Sequence, residues 1–565
     1  MRAWLETLVT LAIAALLAIM ATTPPAPRKA NSSPAPFDLA RAEIDLRTIA
    51  RAPHPTGSVE NGHVRDYLLA GMKAIGMETA TREGVLDEKA AKRLNKWSGR
   101  SDPPARTVNL IGVLPGRDRA GPAVLLMAHH DSVWGSPAAS DDGAGVVTAL
   151  EVARQVAAKG PPPRDLIVLL TDGEELGLQG AAQFFAGDPL QPRIGAVINM
   201  EARGGGGRAS LFETTPGNGE AVAVYRNAAT WPAASSLATF VYSVLPNDTD
   251  LSTAMAGRWA GYNFAFIGRP GLYHSPKATP EALDKGTLMD MGWQVSELTQ
   301  ALLSAPKLPG RTKDTVFFDL YGVEMVSYPA AWGWAMLALA AVALGVAANG
   351  QRDLRALGQG AGRVLGLMLL SAIVLYVLNR VSGAGAGANY YDRLAAIPLL
   401  EVMALLAAGA CFLLVLGKGL AGPARQAGAA IPLLVIGLAM QAAAPTAAYV
   451  VVVPVLIAAL VLAARVFLPA NPAKAIAILL GGAVLGYMLS LGHQLMQGVG
   501  PDLPSVAALP LALGALALVP LWPALSHRHA RQAGLALLVL ALGVSLWVRF
   551  DPMADSVASY SLARR

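Results

Sequence analysis

The run AHHDSVWGSPAASDDGAG brings His129, Asp131 and Asp141 close together in the chain. TDGEELG adds the adjacent pair Glu174 and Glu175, VINMEARGGGG adds Glu201, and GLYHSP adds His274. Imidazole nitrogens and carboxylate oxygens are donors that zinc takes, and a catalytic zinc keeps one position open for water. Two such ions, about 3.5–4 Å apart, need a carboxylate that bridges them. Asp141 is the candidate bridge. His129 and Glu201 would complete one ion, Glu175 and His274 the other, so two zinc ions are the expected cofactor. Glu174 is left beside a ligand without being one, where a general base belongs. It would take the proton of the water that the ions activate as that water attacks a peptide carbonyl, then protonate the leaving amine. Asp131 would hydrogen-bond His129 and fix its tautomer. Tyr273, next to His274, could donate a hydrogen bond to a developing oxyanion.

These residues need a scaffold that gathers them. NLIGVLPG, AVLLMAHHD, DLIVLLTDGEE and AVINMEA are short apolar runs rich in β-branched residues and read as buried strands. GAGVVTALEVARQVAAK and VENGHVRDYLLAGMKAIGM read as amphipathic helices. Alternating strands and helices predict an α/β domain: a mixed, largely parallel sheet with helices on both faces. Polar groups just past the carboxyl ends of such strands converge on a site. His129 and Asp131 follow one strand, Glu174 and Glu175 another, and Glu201 ends a third.

Each motif alone has an ordinary explanation. Asp142 could simply cap the helix that begins GAGVV, and paired glutamates suit a helix N-terminus. The four glycines after Arg203 are no phosphate loop, since no Lys-Ser/Thr follows; they would serve a turn or a close backbone approach. His54 and His63 take no assigned role. The joint order is what carries weight. His-x-Asp, Asp-Asp-Gly, Glu-Glu, Asn-x-Glu and Tyr-His resemble the co-catalytic di-zinc exopeptidases of metallopeptidase family twenty-eight, over about residues 40–305. RAPHPTGSVENGHVRDYL, PNDTD and VFFDLYGVEMVSYP look like its multi-span endoplasmic reticulum branch. The resemblance implies a zinc-dependent peptidase, probed further by two features. Secreted members usually have Asp where this chain has Glu201, and Arg203 puts a cation near the expected substrate end. Arg203 and Asp250 are the candidate substrate-binding residues.

The chain has 565 residues and a formal net charge of +6 that averages two unlike halves. The expected domains are a signal anchor or signal peptide over 1–22, a Pro/Ala/Ser tether over 23–38, the peptidase domain over 39–310, a transmembrane domain over 329–550 and a tail over 551–565. An uncleaved anchor is favoured, because prolines follow ATTPPA at once. Eight apolar runs fall near 331–348, 364–378, 395–416, 427–443, 447–466, 473–496, 506–525 and 534–548, the second and eighth being short for a span. Basic residues alternate between the loops: Arg352, Arg355 and Arg363, then Lys418 and Arg425, then Arg465 and Lys474, then Arg528 and Arg531. The positive-inside rule then puts the peptidase domain outside the cytoplasm, periplasmic or lumenal. Arg380, Arg393, Arg549, Arg564 and Arg565 run against the pattern.

No basic patch interleaved with aromatics points to nucleic acid. The expected partners are a peptide substrate and membrane lipid; oligomeric state is not legible. Cys411, the sole cysteine, lies in an apolar run and reads as packing. Glu401 and His493 sit near the ends of their runs, where solvation is cheap. Three rivals stay open: a binding or scaffolding protein that kept the fold, a transporter with a peptidase-like ectodomain, and acyl transfer of the glutaminyl-cyclase kind.

Overall fold

The computed structural model describes residues 2–27, 37–348 and 353–550. Most of the tether, Arg352, Arg564, Arg565 and the tail over 551–565 lie outside the described residues. The chain divides into two compact units. One comprises Thr23–Ser327 together with Asn389–Ala395. The other holds the N-terminal helix, Tyr328–Ala388 and, among the described residues, 396–550.

The first unit is built on a seven-stranded sheet. Its strands are β1 (Glu78–Val85), β2 (Arg106–Leu114), β3 (Ala123–His129), β4 (Leu166–Thr171), β5 (Ile194–Ala202), β6 (Ser210–Thr214) and β7 (Ala260–Phe266), in the order β1-β2-β4-β3-β5-β7-β6. The centre, β4-β3-β5-β7, is parallel. The flanks are antiparallel: β1 with β2, β2 with β4, and β6 with β7. NLIGVLPG therefore belongs to an antiparallel strand. Three strands escaped the sequence patterns for physical reasons. β1 is a half-exposed edge of sequence ETATREGV, β6 is short, and β7 mixes Gly and Asn with aromatics.

Every residue of β3 and β4 is buried, which is why they read as unbroken apolar runs rather than alternating ones. Alternation still divides them between two cores. Val124, Leu126, Val168 and Ile198 pack with the helices Leu39–Ile49, Val59–Ile75, Gly143–Ala158 and Lys285–Ser304. Leu125, Met127, Ile167 and Val197 pack with Gln179–Gly187 and Asp250–Ala254. Each fully buried leucine contributes roughly 1.5–3 kcal/mol relative to exposure, so strand ends set on this sheet are held firmly. Register then levels the ends: His129 of β3 stands opposite Thr171 of β4, and Met127 opposite Asn199 of β5. A hairpin of β8 (Thr315–Leu320) and β9 (Glu324–Pro329) follows, its turn made by Tyr321 and Gly322, both at positive φ.

In the second unit, seven helices among the described residues are long and apolar enough to cross a membrane. They are Trp4–Thr22, Leu354–Val381, Ile397–Leu416, Pro423–Ala443, Tyr449–Phe467, Ala470–Val499 and His527–Phe550, with Trp332–Ala347 and Pro504–Leu518 shorter. The second and eighth runs are thus not the short ones. Their helices begin in charged turns that hid their length, and the first and seventh runs are short instead. Pro520 and Pro523 follow the seventh and end it. The N-terminal helix packs on Ala470–Val499, where Gly482 and Gly486 lie against Ile13 and Ala14; this small-xxx-small spacing lets apolar helices approach closely. The Thr7 hydroxyl donates to the Leu521 carbonyl at 2.9 Å. Glu401 and His493 are paired, Nδ1 to Oε1 at 3.0 Å, and Gln497 also donates to Glu401 at 2.9 Å.

Candidate metal centre

All the expected donors meet beyond the carboxyl ends of the parallel strands. His129 ends β3 and Glu201 lies near the end of β5. Glu174 and Glu175 occupy the turn after β4, which Gly173 opens at φ +76°, a conformation natural only to glycine. Asp141 precedes Asp142, whose carboxylate caps the helix Gly143–Ala158 by accepting from Gly145 N at 3.0 Å. The same carboxylate accepts from His129 N at 3.3 Å, tying helix start to strand end. His274 follows the short turn Pro270–Leu272 and sits at φ +52°, a strained position for a non-glycine residue.

Asp141 is the hub. Its Oδ1 lies 3.1 Å from His129 Nε2 and its Oδ2 lies 3.2 Å from His274 Nε2. Glu201 Oε2 is 3.9 Å from His129 Nε2, and Glu175 Oε1 is 3.1 Å from His274 Nε2. Donor atoms of His129, Asp141 and Glu201 lie within 4.8 Å of one another, as do those of Asp141, Glu175 and His274. A third grouping, His129 with Glu174 and Glu175, satisfies the same limit. Glu174 Oε2 is 4.0 Å from His129 Nε2. It is more exposed than the five residues of the two triads.

The lone pairs point the same way. His129 Nδ1 donates to the Asp131 carbonyl at 3.0 Å, so in the neutral ring Nε2 carries a lone pair toward Asp141. Glu175 Oε1 and His274 Nε2 are buried, face each other, and have no hydrogen-bond partner. Converging nitrogen and oxygen donors are the arrangement a cation needs, and this donor set fits zinc. Burial disfavours charge on both rings. Yet Asp131 and Asp141 beside His129 hold it well above the ordinary histidine range, and so do Glu175, Tyr391 and Asp141 beside His274. Burial pushes Glu174 and Glu201 well above the usual carboxylate range, and neighbouring carboxylates push further. Burial also raises Asp141, but the hydrogen bonds with the two histidines bring it down to about 2. A divalent cation relieves this crowding of carboxylates.

Asp131 acts through different atoms than its spacing suggests. Its carbonyl is the nearer partner of His129, while its carboxylate lies 3.5 Å from Nδ1. That carboxylate instead accepts from Glu174 N at 3.1 Å and Glu175 N at 3.3 Å. It pins the turn that presents both glutamates. The Tyr273 ring stacks on the His274 ring with centroids 3.7 Å apart. Asp250 is buried and accepts from the Thr171 hydroxyl. Arg203 donates to the Tyr390 hydroxyl and lies 5.9 Å over that ring. Sequence patterns missed the polar support of Glu201. Asn199 reaches Glu201 Oε1 at 3.5 Å and donates to Asn263 at 2.9 Å; Asn263 donates to Glu213 at 2.8 Å. They also missed Tyr391, whose hydroxyl is 2.9 Å from His274 Nδ1.

Residues 109–299, which span most of these donors, match the profile of peptidase family M28. The chain carries a domain of that family. A vacuolar membrane protease of Schizosaccharomyces pombe is 32% identical over 295 residues, 51% of this chain and 34% of the relative. Endoplasmic reticulum metallopeptidase 1 of Mus musculus is 30% identical over 311 residues, 53% of this chain and 35% of the relative. The matched stretch thus spans about a third of these relatives. Among solved structures, an aminopeptidase from Aneurinibacillus sp. strain AM-1 is 14% identical with a TM-score of 0.39, covering 50% of this chain and 97% of that one. A glutaminyl cyclase from Fimbriiglobus ruber is 14% identical with a TM-score of 0.35, covering 49% and 98%. The chain thus joins an M28 domain to several candidate transmembrane helices.

Proposed function

We propose that this chain is a membrane-anchored di-zinc exopeptidase, with an aminopeptidase favoured over a carboxypeptidase. The observation that carries the proposal is Asp141, shared by two donor triads on opposite sides of one carboxylate. His129 and Glu201 would hold one ion and Glu175 and His274 the other. Zinc ions bound there supply Lewis-acid polarisation of a carbonyl and acidification of water. The side chains do the rest. Glu174 stands beside Glu175 on the pinned turn, close to the donors without belonging to either triad around Asp141. It takes the proton of the attacking water and delivers it to the departing amine. Asp131 keeps Glu174 in place through the backbone, and Tyr273, stacked on His274, would donate a hydrogen bond to the oxyanion. Arg203, engaged with the neutral Tyr390 hydroxyl, is the feature that would instead suit a substrate carboxylate.

The packing of Trp4–Thr22 within the membrane unit supports a retained anchor. The alternating basic loops support a peptidase domain facing the periplasm or a lumen. Arg393, which ran against that pattern, is buried within the peptidase unit. The expected partners remain a peptide and lipid, with no nucleic acid. The test is digestion of a peptide library by the full-length protein in detergent. Cleavage of terminal residues, abolished by a chelator and by Glu174→Gln, is expected. Undiminished turnover in Glu174→Gln would remove the proposal.

A further inference from the structure

The two histidines of the centre are steadied by very different means. His129 leans on the carbonyl of Asp131, two residues away. His274 leans on Tyr391, 117 residues further along the chain. Tyr391 comes from the loop that joins two candidate spans, Leu354–Val381 and Ile397–Leu416. Gly383, Gly385 and Gly387 lead into that loop with φ of +104°, +73° and +77°. There follows a short helix, Tyr390–Ala395, started by Asn389, whose side chain accepts from Tyr391 N at 2.9 Å. This segment belongs to the peptidase unit.

Three contacts seat it there. A Cβ added at Gly271, in the turn before His274, would come within 2.8 Å of Ala395 Cα. Arg203 meets the Tyr390 hydroxyl and ring. The Tyr391 ring lies 5.5 Å from His274 and 6.1 Å from Tyr273, centroid to centroid. His274 also occupies a left-handed backbone position, so its own loop alone is a poor fixture. With a cation held at Nε2 beside Asp141 and Glu175, Nδ1 would carry the proton and donate it to the Tyr391 oxygen, 2.9 Å away. Such a partner fixes the ring's tautomer and orientation and raises its basicity toward a metal.

We propose that Tyr391 is a positioning residue for the ion held by His274, so that the loop between two membrane helices completes the peptidase centre. The proposal rests on the metal-binding reading above. It assigns a segment that lies in sequence between two candidate spans, but in the peptidase unit, a part in the centre: a peptidase domain without that loop would hold one ion well and the other poorly.

The experiment uses the full-length protein in detergent and zinc alone as the probe. Wild type is expected to bind two equivalents under chelator competition. Tyr391→Phe keeps the ring and is expected to weaken one equivalent about 10–100-fold, leaving the other at wild-type affinity. Cobalt loaded in place of zinc is expected to give an altered visible spectrum in Tyr391→Phe, and kcat is expected to fall more than KM changes. Asn389→Ala, which loosens the short helix without touching His274, is expected to shift the same equivalent in the same direction by a smaller factor. Two wild-type equivalents and an unchanged cobalt spectrum in Tyr391→Phe would overturn the proposal. A wild-type protein that binds no metal would instead overturn the site itself.

Discussion

One side of the candidate centre is assembled from strand ends, the other from loops. His129 and Glu201 lie at the ends of β3 and β5, in the parallel heart of the sheet, and His129 is braced from within its own segment. His274 follows a turn, at positive φ, and is braced by a hydroxyl from a distant loop. Sheet positions draw their precision from buried leucines and valines on two faces. Loop positions have little such packing and must borrow it. The comparison teaches that one centre can have a side that folds with the core and a side that depends on a later part of the chain.

Substitutions can break this contrast or sharpen it. Asp141→Asn acts on both sides at once, so it should release both equivalents of zinc and reduce hydrolysis to background; metal analysis with a peptide assay measures it. Glu174→Gln should leave both equivalents bound and lower kcat by about 10²–10⁴-fold, as loss of a general base does. Retained metal with lost turnover is the decisive pair of readings. Glu201→Gln should weaken only the equivalent at His129, and Glu175→Gln only the one at His274. If either change empties both sites, the two sides are not independent. Asp131→Asn should lower kcat by about 10–100-fold, because the amide pins one of the two glutamate N–H groups less well; an unchanged kcat would mean that the turn holds itself.

The smallest effect concerns the support beneath Glu201. Burial pushes the Glu213 carboxyl up to about 7, although the hydrogen bond from Asn263 opposes the shift. The folded state therefore favours the protonated group. Its contribution is fully present below the unfolded value near 4.5 and is lost as pH rises through about 7. Glu213→Gln removes this dependence. The variant's Tm relative to wild type should be higher at pH 8 than at pH 5, by a few degrees. Parallel curves would place Glu213 in contact with water. A Glu201-side zinc affinity that follows the same pH trend would tie this support to the ion.

Much of the centre was legible because each donor lies in a short local pattern. His129, Glu174, Glu175 and Glu201 follow buried runs that only strands explain, and Asp141 abuts a helix start. β1, β6 and β7 were not legible, since an exposed edge and a Gly/Asn-interrupted strand lack a clean period. The true lengths of Leu354–Val381 and His527–Phe550 were masked by their charged first turns. Arg393 gave a faint sign of something unusual between two spans, as a basic residue in a loop where the expected alternation has few; the structure shows it buried. Nothing in NYYDR says which histidine its tyrosine meets.

Composition and order in the chain determined which chemistry was available: nitrogen and oxygen donors, a spare carboxylate beside a ligand, and apolar helices long enough to cross a bilayer. These are local properties, set by side-chain type and by periods of two and 3.6 residues. Tertiary structure alone decided which atom of Asp131 meets His129, that Glu201 rests on Asn199 and Asn263, and that Tyr391 reaches His274. The Asn199–Asn263 and Tyr391–His274 contacts join segments 64 and 117 residues apart. They follow from sheet register and the packing of loops on the core, which no local pattern encodes.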